Sequence, residues 1–336
     1  SPSWSPNDEE IIFLRKNSFT QVFFYYIETG ESRPLTEGDS RRSAPRLSDD
    51  GKWIAYVERP LDSPGSAAPK SRLVAISMET GDQRVLADNI EASNEGAYSF
   101  SEDGSQIAFA ANDGKGNTDV YRVALEGGDP IPVTVNVGTA LMPTWSHDGS
   151  MIAYTLVAEG VTQVWTVPST GGNPKRMSYN SGINQYGLYS DDGTQLSYFS
   201  MDEKDGSCVV WVVDVEDPTQ GRKVFRAEQV CVPIGWCNDD ETLLVYRLPE
   251  EAATKKKGGY MMAVQLDGSE SYDIAYPKGL ESPEAYLMEF TEKGEKYREE
   301  FYPGGGFAYA KGDDGNNIYR LEILPFLQEE LARASR

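Results

Sequence analysis

Seven times along the 336 residues, a stretch ending in an aromatic or apolar residue meets a turn resembling Ser-Asp-Asp-Gly and leaves it as an alternating apolar run. The copies are Trp4-Ser5-Pro6-Asn7-Asp8, Leu47-Ser48-Asp49-Asp50-Gly51, Phe100-Ser101-Glu102-Asp103-Gly104, Trp145-Ser146-His147-Asp148-Gly149, Tyr189-Ser190-Asp191-Asp192-Gly193, Trp236-Cys237-Asn238-Asp239-Asp240 and, more weakly, Phe290-Thr291-Glu292-Lys293-Gly294. Their turn positions 5, 48, 101, 146, 190, 237 and 291 step by 43, 53, 45, 44, 47 and 54 residues. A period of that size marks a chain built by repeating one supersecondary unit.

The third unit shows what the unit is. Strand-like runs cover Gly96 to Phe100, Gln106 to Ala111, Asp119 to Leu125 and Ile131 to Thr134, separated by Gly, Asp or Asn, which predicts a four-stranded antiparallel meander. The Asp-Gly of the first turn suits positive φ, and the Ser or Asp before it accepts hydrogen bonds from the turn's own backbone. The second strand reads Ile54-Ala55-Tyr56, Ile107-Ala108-Phe109, Ile152-Ala153-Tyr154, Leu196-Ser197-Tyr198 and Leu244-Val245-Tyr246, so both of its faces need cover. The third repeats the habit in Val164-Trp165-Thr166-Val167 and Val209-Val210-Trp211-Val212. Such a sheet buries both faces by packing against copies of itself in a ring.

The pattern aromatic-Ser-x-Asp-Gly-x-x-Ile-Ala-Tyr/Phe, followed by a Tyr or Trp strand and a Thr-Gly or Gly-Gly turn, resembles the WD40-like propeller repeat of the TolB type. That resemblance implies an all-β propeller and a periplasmic or extracellular location. TolB-type propellers have six blades behind an N-terminal domain, whereas this chain opens on the first repeat. The expected fold is a seven-bladed β-propeller of four-stranded antiparallel blades near 1–37, 38–88, 89–135, 136–179, 180–227, 228–278 and 279–325. The alternative is six blades plus a C-terminal extension. Residues 326–336 are expected to form a short helix or linker, with Phe326, Leu327 and Leu331 on one side.

A net charge of −22, from 53 acidic and 31 basic side chains, excludes nucleic acid as a partner, because phosphate binding is driven by Lys and Arg. No apolar run approaches the roughly 20 residues of a membrane helix. The sequence does not begin with Met and carries no signal peptide, so any targeting segment is expected to have been removed. Cys208, Cys231 and Cys237 lie in or beside strand-like runs and are expected as buried thiols, with one disulfide plus a free thiol as the rival.

One histidine, His147, sits in a turn, which leaves no imidazoles for a metal cluster or a Ser/His/Asp triad. Propeller lyases of the oligogalacturonate type depend on clustered histidines, so that activity is not expected. Neither a Gly-x-Ser-x-Gly elbow nor a phosphate-cradling loop is present. Asp202–Gly206 and Asn112–Asp119 lack the full alternating oxygen pattern of a calcium loop and read as hairpin loops. No cofactor, metal or catalytic residue is expected.

The loops leading into each first strand differ far more than the turns do, and unlike loops on a regular scaffold are where specificity lives. The candidate ligand-binding residues are Arg41, Arg42, Asn94, Glu95, Met142, Asn184 and Tyr186. The same edge carries the Pro- and Ser-rich insert Arg59–Pro69 and the loop holding Lys255-Lys256-Lys257. The reading is a monomeric, non-catalytic scaffold that binds a protein or a glycan on its loop-rich face. The alternatives are the gating propeller of a prolyl-oligopeptidase-like serine peptidase and a carboxylate-based carbohydrate-active propeller.

Overall fold

The computed structural model describes residues 3–4, 10–16, 20–26, 28–48, 50–60, 71–90, 98–112, 116–202, 205–228, 230–237, 240–247, 260–267, 272–273, 306–311 and 317–322. Several expectations lie outside them: the first and seventh turns, the insert at 61–69, Lys255 to Lys257, and the segment 326–336. Among the described residues the regular structure is all β apart from one 3₁₀ turn, Pro218–Gln220. None of their helices is long and apolar enough to cross a membrane.

Each of the first six repeats forms a four-stranded antiparallel meander. Blade one comprises Ser3–Trp4, Glu10–Lys16, Thr20–Tyr26 and Ser32–Pro34, and blade two comprises Ser40–Leu47, Trp53–Pro60, Arg72–Ser77 and Gln83–Asp88. Blade three comprises Tyr98–Phe100, Gln106–Asn112, Thr118–Ala124 and Ile131–Pro132; blade four Thr139–Trp145, Met151–Ala158, Val161–Pro168 and Lys175–Arg176. These two blades are joined by one parallel bridge, Thr118 to Thr139. Blade five comprises Ile183–Tyr189, Gln195–Met201, Cys208–Asp214 and Arg222–Ala227, and blade six Cys231–Cys237, Thr242–Arg247, Tyr260–Gln265 and Tyr272–Asp273. A final hairpin pairs Gly306–Lys311 with Asn317–Glu322.

The turn motif closes on itself. Ser146 Oγ donates to Asp148 Oδ1 at 2.6 Å and accepts from Met151 N at 2.9 Å, Asp148 Oδ1 also accepts from Ser150 N at 3.0 Å, and Gly149 N donates to Ser146 O at 2.9 Å. The turns at Ser48, Ser101 and Ser190 repeat this set. Gly51, Gly104, Gly149 and Gly193 hold φ between 64° and 71°, the left-handed region where a Cβ is costly. The sixth repeat puts Asp240 there, at φ 64°. Its carboxylate accepts the backbone N–H groups of Asp191 and Asp192, both at 3.1 Å, so the sequence departure clips the sixth turn to the fifth.

The second strands explain the alternation of large and small. Ile54 and Tyr56 pack backwards on Ile12, Val22 and Phe24 of blade one, whereas Ala55 and Val57 face Tyr98, Phe100, Ile107 and Phe109 of blade three. Likewise Ile152 and Tyr154 pack on Ala108, Val120 and Val133, and Ala153 receives Tyr189, Leu196 and Tyr198 of blade five. Small residues thus accommodate the large residues of the following blade. Full burial of each large side chain contributes about 1.5–3 kcal/mol relative to exposure.

First strands are stitched to one another. Arg46 Nη1 donates to Tyr98 O at 2.7 Å, Ser99 Oγ to Pro143 O at 2.8 Å, and Thr144 Oγ1 to Gly187 O at 2.5 Å. Each donor immediately precedes the last residue of its strand and reaches the next blade. Where blade five has Leu188, which cannot donate, the link reverses and Trp236 Nε1 donates to Leu188 O at 3.2 Å.

Candidate functional site

The loop-rich edge gathers the lead-in loops and the hairpins between second and third strands. The first strands of blades two, four, five and six bend there through a β-bulge, with register shifts between Ser43 and Arg46, Leu141 and Thr144, Gln185 and Leu188, and Pro233 and Gly235. Ala44, Met142 and Tyr186 carry the bulges at φ 47°, 53° and 59°, which non-glycine residues rarely adopt. Gly138 and Gly182 open two of these strands at φ 126° and 119°, where a Cβ would meet Val157 O at 2.8 Å or Met201 O at 2.7 Å.

Inward of the loops runs a series of polar seams between blades. In blade one Thr36 Oγ1 donates to Gln21 Oε1 at 2.7 Å and accepts from Val22 N at 2.9 Å. Thr134 with Asp119 and Val120 N, and Ser178 with Gln163 and Val164 N, repeat the arrangement in blades three and four. The next blade then closes on the third-strand side chain. Arg42 Nη1 donates to Gln21 Oε1 at 2.9 Å, and Asn184 Nδ2 donates to Gln163 Oε1 at 3.3 Å.

These contacts locate the expected binding residues. Arg42, 6% exposed, also donates through Nη2 to Glu37 O at 2.6 Å and lies 3.0 Å from Glu58, which in turn meets Arg72 at 3.1 Å. Asn184 is fully buried, donates to Gly182 O at 3.1 Å and accepts from Asn180 Nδ2 at 2.7 Å. Asn180 further donates to Ser200 Oγ at 2.8 Å and accepts from Tyr198 Oη at 2.7 Å. Tyr186 is buried in the core shared with Trp236 and donates its N–H to Thr155 Oγ1 at 3.0 Å, while Met142, half-buried, packs on the same core. Arg41 is exposed, opposite Arg59 across the first hairpin. Asn94 and Glu95 lie outside the described residues. Arg42 therefore lies in the seam between blades one and two and Asn184 in that between blades four and five, Tyr186 lies in the core shared with blade six, and Arg41 stands outside them.

Sequence reasoning missed Gln21, Thr36, Glu58, Asp119, Thr134, Gln163, Ser178 and Asn180. A signal existed for part of this set: Leu35-Thr36, Val133-Thr134 and Met177-Ser178 directly follow the fourth strands of their blades. It also missed an apolar presence on the loop edge, where Val135, Val161 and Tyr179 are 64%, 49% and 49% exposed. Val135 and Tyr179 directly follow the seam residues Thr134 and Ser178, and the Arg176 guanidinium lies 5.0 Å from the centre of the Tyr179 ring.

Titrating groups on this edge are set by burial. Burial pushes the phenols of Tyr56, Tyr154 and Tyr198 up, with Glu58 adding to the effect on Tyr56 and Asp119 to that on Tyr154. Tyr56 and Tyr198 act as neutral hydrogen-bond donors, to Gln83 and Asn180, and Tyr154 as a neutral packing group. Among the described residues no three His, Cys, Asp or Glu side chains come together as a metal site. His147 lies on the opposite edge, its Nδ1 3.6 Å from Glu102 of the preceding turn. The arrangement offers a contact surface with a polar and apolar rim.

A family model described as the TolB beta propeller domain matches residues 66–283. Over 94 residues the chain is 32% identical to the uncharacterized peptidase YuxL of Bacillus subtilis (strain 168), a stretch spanning 26% of this chain and 13% of that protein. The structure of TolB from Acinetobacter baumannii matches with a TM-score of 0.53 and 16% identity, over 79% of this chain and 63% of TolB. An oligogalacturonate lyase in complex with manganese matches with a TM-score of 0.66 and 13% identity, over 95% of this chain and 87% of the lyase. At these identities the structural likenesses carry the fold, a β-propeller, and nothing of the chemistry.

Proposed function

The chain belongs to the TolB beta propeller domain family, and from that premise we propose that it is a non-catalytic, monomeric scaffold that binds a protein in the cell envelope or outside the cell. Its blades number seven in this reading, the last containing the hairpin Gly306–Lys311 and Asn317–Glu322. Partners dock on the loop-rich edge. The observation that carries this reading is the exposure of Val135, Val161 and Tyr179 on an edge whose polar interior is engaged in its own seams. Exposed apolar side chains rimmed by charge are what a protein-binding surface presents. Arg41 supplies charge at the rim, Asn94 and Glu95 are further proposed contacts, and a glycan is the alternative ligand for the same edge.

The test is capture from an envelope extract of the source organism with the wild-type protein and with Arg41→Glu, Val135→Ser and Tyr179→Ser combined. Loss of the captured protein with an unchanged melting temperature supports the loop edge. Retained capture by the triple variant counts against it.

The identity to the peptidase YuxL favours a second reading, in which this propeller gates access to a serine peptidase domain. A polypeptide expressed from the uninterrupted gene and labelled with a fluorophosphonate serine probe separates the two. Labelling identifies a peptidase, and its absence leaves the scaffold.

A further inference from the structure

The seam between blades five and six differs from the others in chemistry. Trp211 pairs with Tyr198 as Tyr121 pairs with Phe109, so Cys208, three residues before Trp211, occupies the place of Thr118. On the facing first strand, Cys231 stands five residues before Trp236, the place held by Ala140 before Trp145. In the seam between blades three and four, Thr118 forms a backbone bridge with Thr139, the neighbour of Ala140. Neighbouring strands run about 4.7–4.9 Å apart and rise about 3.3 Å per residue, so the place of Cys231, one residue beyond the bridged one, lies diagonally about 6 Å from that of Cys208 between Cα atoms, inside the span a disulfide requires.

The side chains agree with that backbone argument. Cys208 and Cys231 are both fully buried, and Cys208 Sγ lies 2.9 Å from the carbonyl oxygen of Cys231. The two thiols also hydrogen-bond to each other, which draws Cys208 down and pushes Cys231 up. Cys237 is separate. It ends the strand that Cys231 begins, about 20 Å away at the usual rise per residue. Burial pushes its thiol up to about 12, and it contacts Thr242 O at 3.5 Å.

We propose that Cys208 and Cys231 form a disulfide that locks blade five to blade six, leaving Cys237 as a free thiol. The bond forms by thiol–disulfide exchange with an external disulfide, of the oxidised glutathione or oxidising dithiol class. One cysteine thiolate attacks the oxidant and expels one of its thiolates; the other then displaces the second from the mixed disulfide. Two S–H bonds and the oxidant's S–S bond are broken, one S–S bond forms between the cysteines, and the two electrons and two protons they give up convert the oxidant to two thiols. Because both sulfurs are enclosed in the finished seam, exchange takes place before blade six docks.

The purified chain is unfolded and refolded with a reduced and oxidised glutathione mixture or with excess reductant, then denatured, alkylated and mapped by mass spectrometry. After oxidative refolding the expected result is one alkylated thiol, at Cys237, and a cross-linked peptide pair containing Cys208 and Cys231. The melting temperature of this form should exceed that of the reduced form by about 5 °C. Cys237→Ser should give the same cross-link with no free thiol, and Cys208→Ser should remove both the cross-link and the thermal shift. Three free thiols after oxidative refolding, or a bond that includes Cys237, overturns the proposal. Wild type and Cys237→Ser decide the matter even if Cys208→Ser does not fold.

Discussion

The two edges of the blades obey different rules. On the turn edge, blades two to five repeat one hydrogen-bond set around Ser48, Ser101, Ser146 and Ser190, each Ser all but fully buried. Basic residues of fourth strands add stitches of one type: Arg84 donates to Glu126 O, Lys175 to Glu216 O and Arg222 to Leu266 O, always into the following blade. On the loop edge, the place five residues before the turn-entering residues Leu47, Trp145, Tyr189 and Trp236 holds Arg42, Ala140, Asn184 and Cys231 in turn, and each has its own surroundings. Regularity on one edge secures blade spacing, and this leaves the other edge able to diversify without loss of the fold.

The largest effect that should separate the edges is at Arg42. Replacement by Ala leaves Glu58 with Arg72 alone and strips Gln21 and Glu37 of a donor. The expected loss is about 3 kcal/mol, the lower end of the range for breaking a buried ion pair, read by urea denaturation. A loss below about 1 kcal/mol would show that the seam is held by packing rather than by charge.

Asp240→Gly is a sharper test, because it restores the turn consensus while removing two charge-assisted acceptors from blade five. The expected net loss is about 1–2 kcal/mol, glycine's ease at positive φ offsetting part of it. Stabilisation would mean that the contact to blade five contributes less than the backbone relief.

Ser48→Ala, Ser101→Ala, Ser146→Ala and Ser190→Ala should each cost about 1 kcal/mol and agree within about 0.5 kcal/mol, since each removes the same bonds. Wide scatter among the four would break the comparison. Replacing Gln21, Asp119 and Gln163 by Ala should scatter, because their partners differ.

The smallest effect is on pH dependence. Hydrogen bonds from Ser101, Ser146 and Thr194 hold the carboxyls of Asp103, Asp148 and Asp192 below the ordinary carboxylate value. Asp50 is also lowered: burial opposes the shift, and Lys52 and Ser48 outweigh it. A carboxyl lowered on folding binds its proton more readily in the unfolded chain, so its stabilisation is complete above pH about 4 and disappears as pH falls through the folded value. Asp103→Asn with Asp148→Asn should therefore flatten the fall in stability between pH 5 and 3, measured by urea midpoints. An unchanged slope would assign acid sensitivity to the loop edge.

The turn edge was legible because its information is local and copied. Ser, Asp and Gly lie within four residues of one another and return every 43 to 53 residues wherever the pattern holds best, so turn, strand and blade could be read together. The strands of blade three fell close to expectation, the third being Thr118–Ala124 against a predicted Asp119 to Leu125. The seams were not legible to the same degree. Arg42 meets residues 21 positions before it and 16 after it, on strands of two blades, and nothing in a lead-in loop advertises such a pairing. An arginine that finds a carboxylate in the interior has the same sequence appearance as one that waits for a partner in solvent. The exposed Val135 and Tyr179 were hidden for the opposite reason, since an apolar residue at a strand end reads as core until its neighbours are placed.

The alternation of bulk along the second strands gives the wheel a direction. Blades two to four each carry a plug on the side facing the predecessor and a socket on the side facing the successor, as Tyr154 and Ala153 do in blade four. Blades exchanged between positions must match at two unlike surfaces, so duplicating or excising a whole unit is tolerated only where the new plug fits the old socket. Genetic drift in one alanine of a second strand is thus answerable to the aromatic residues of the following repeat, well beyond the reach of its neighbours in sequence.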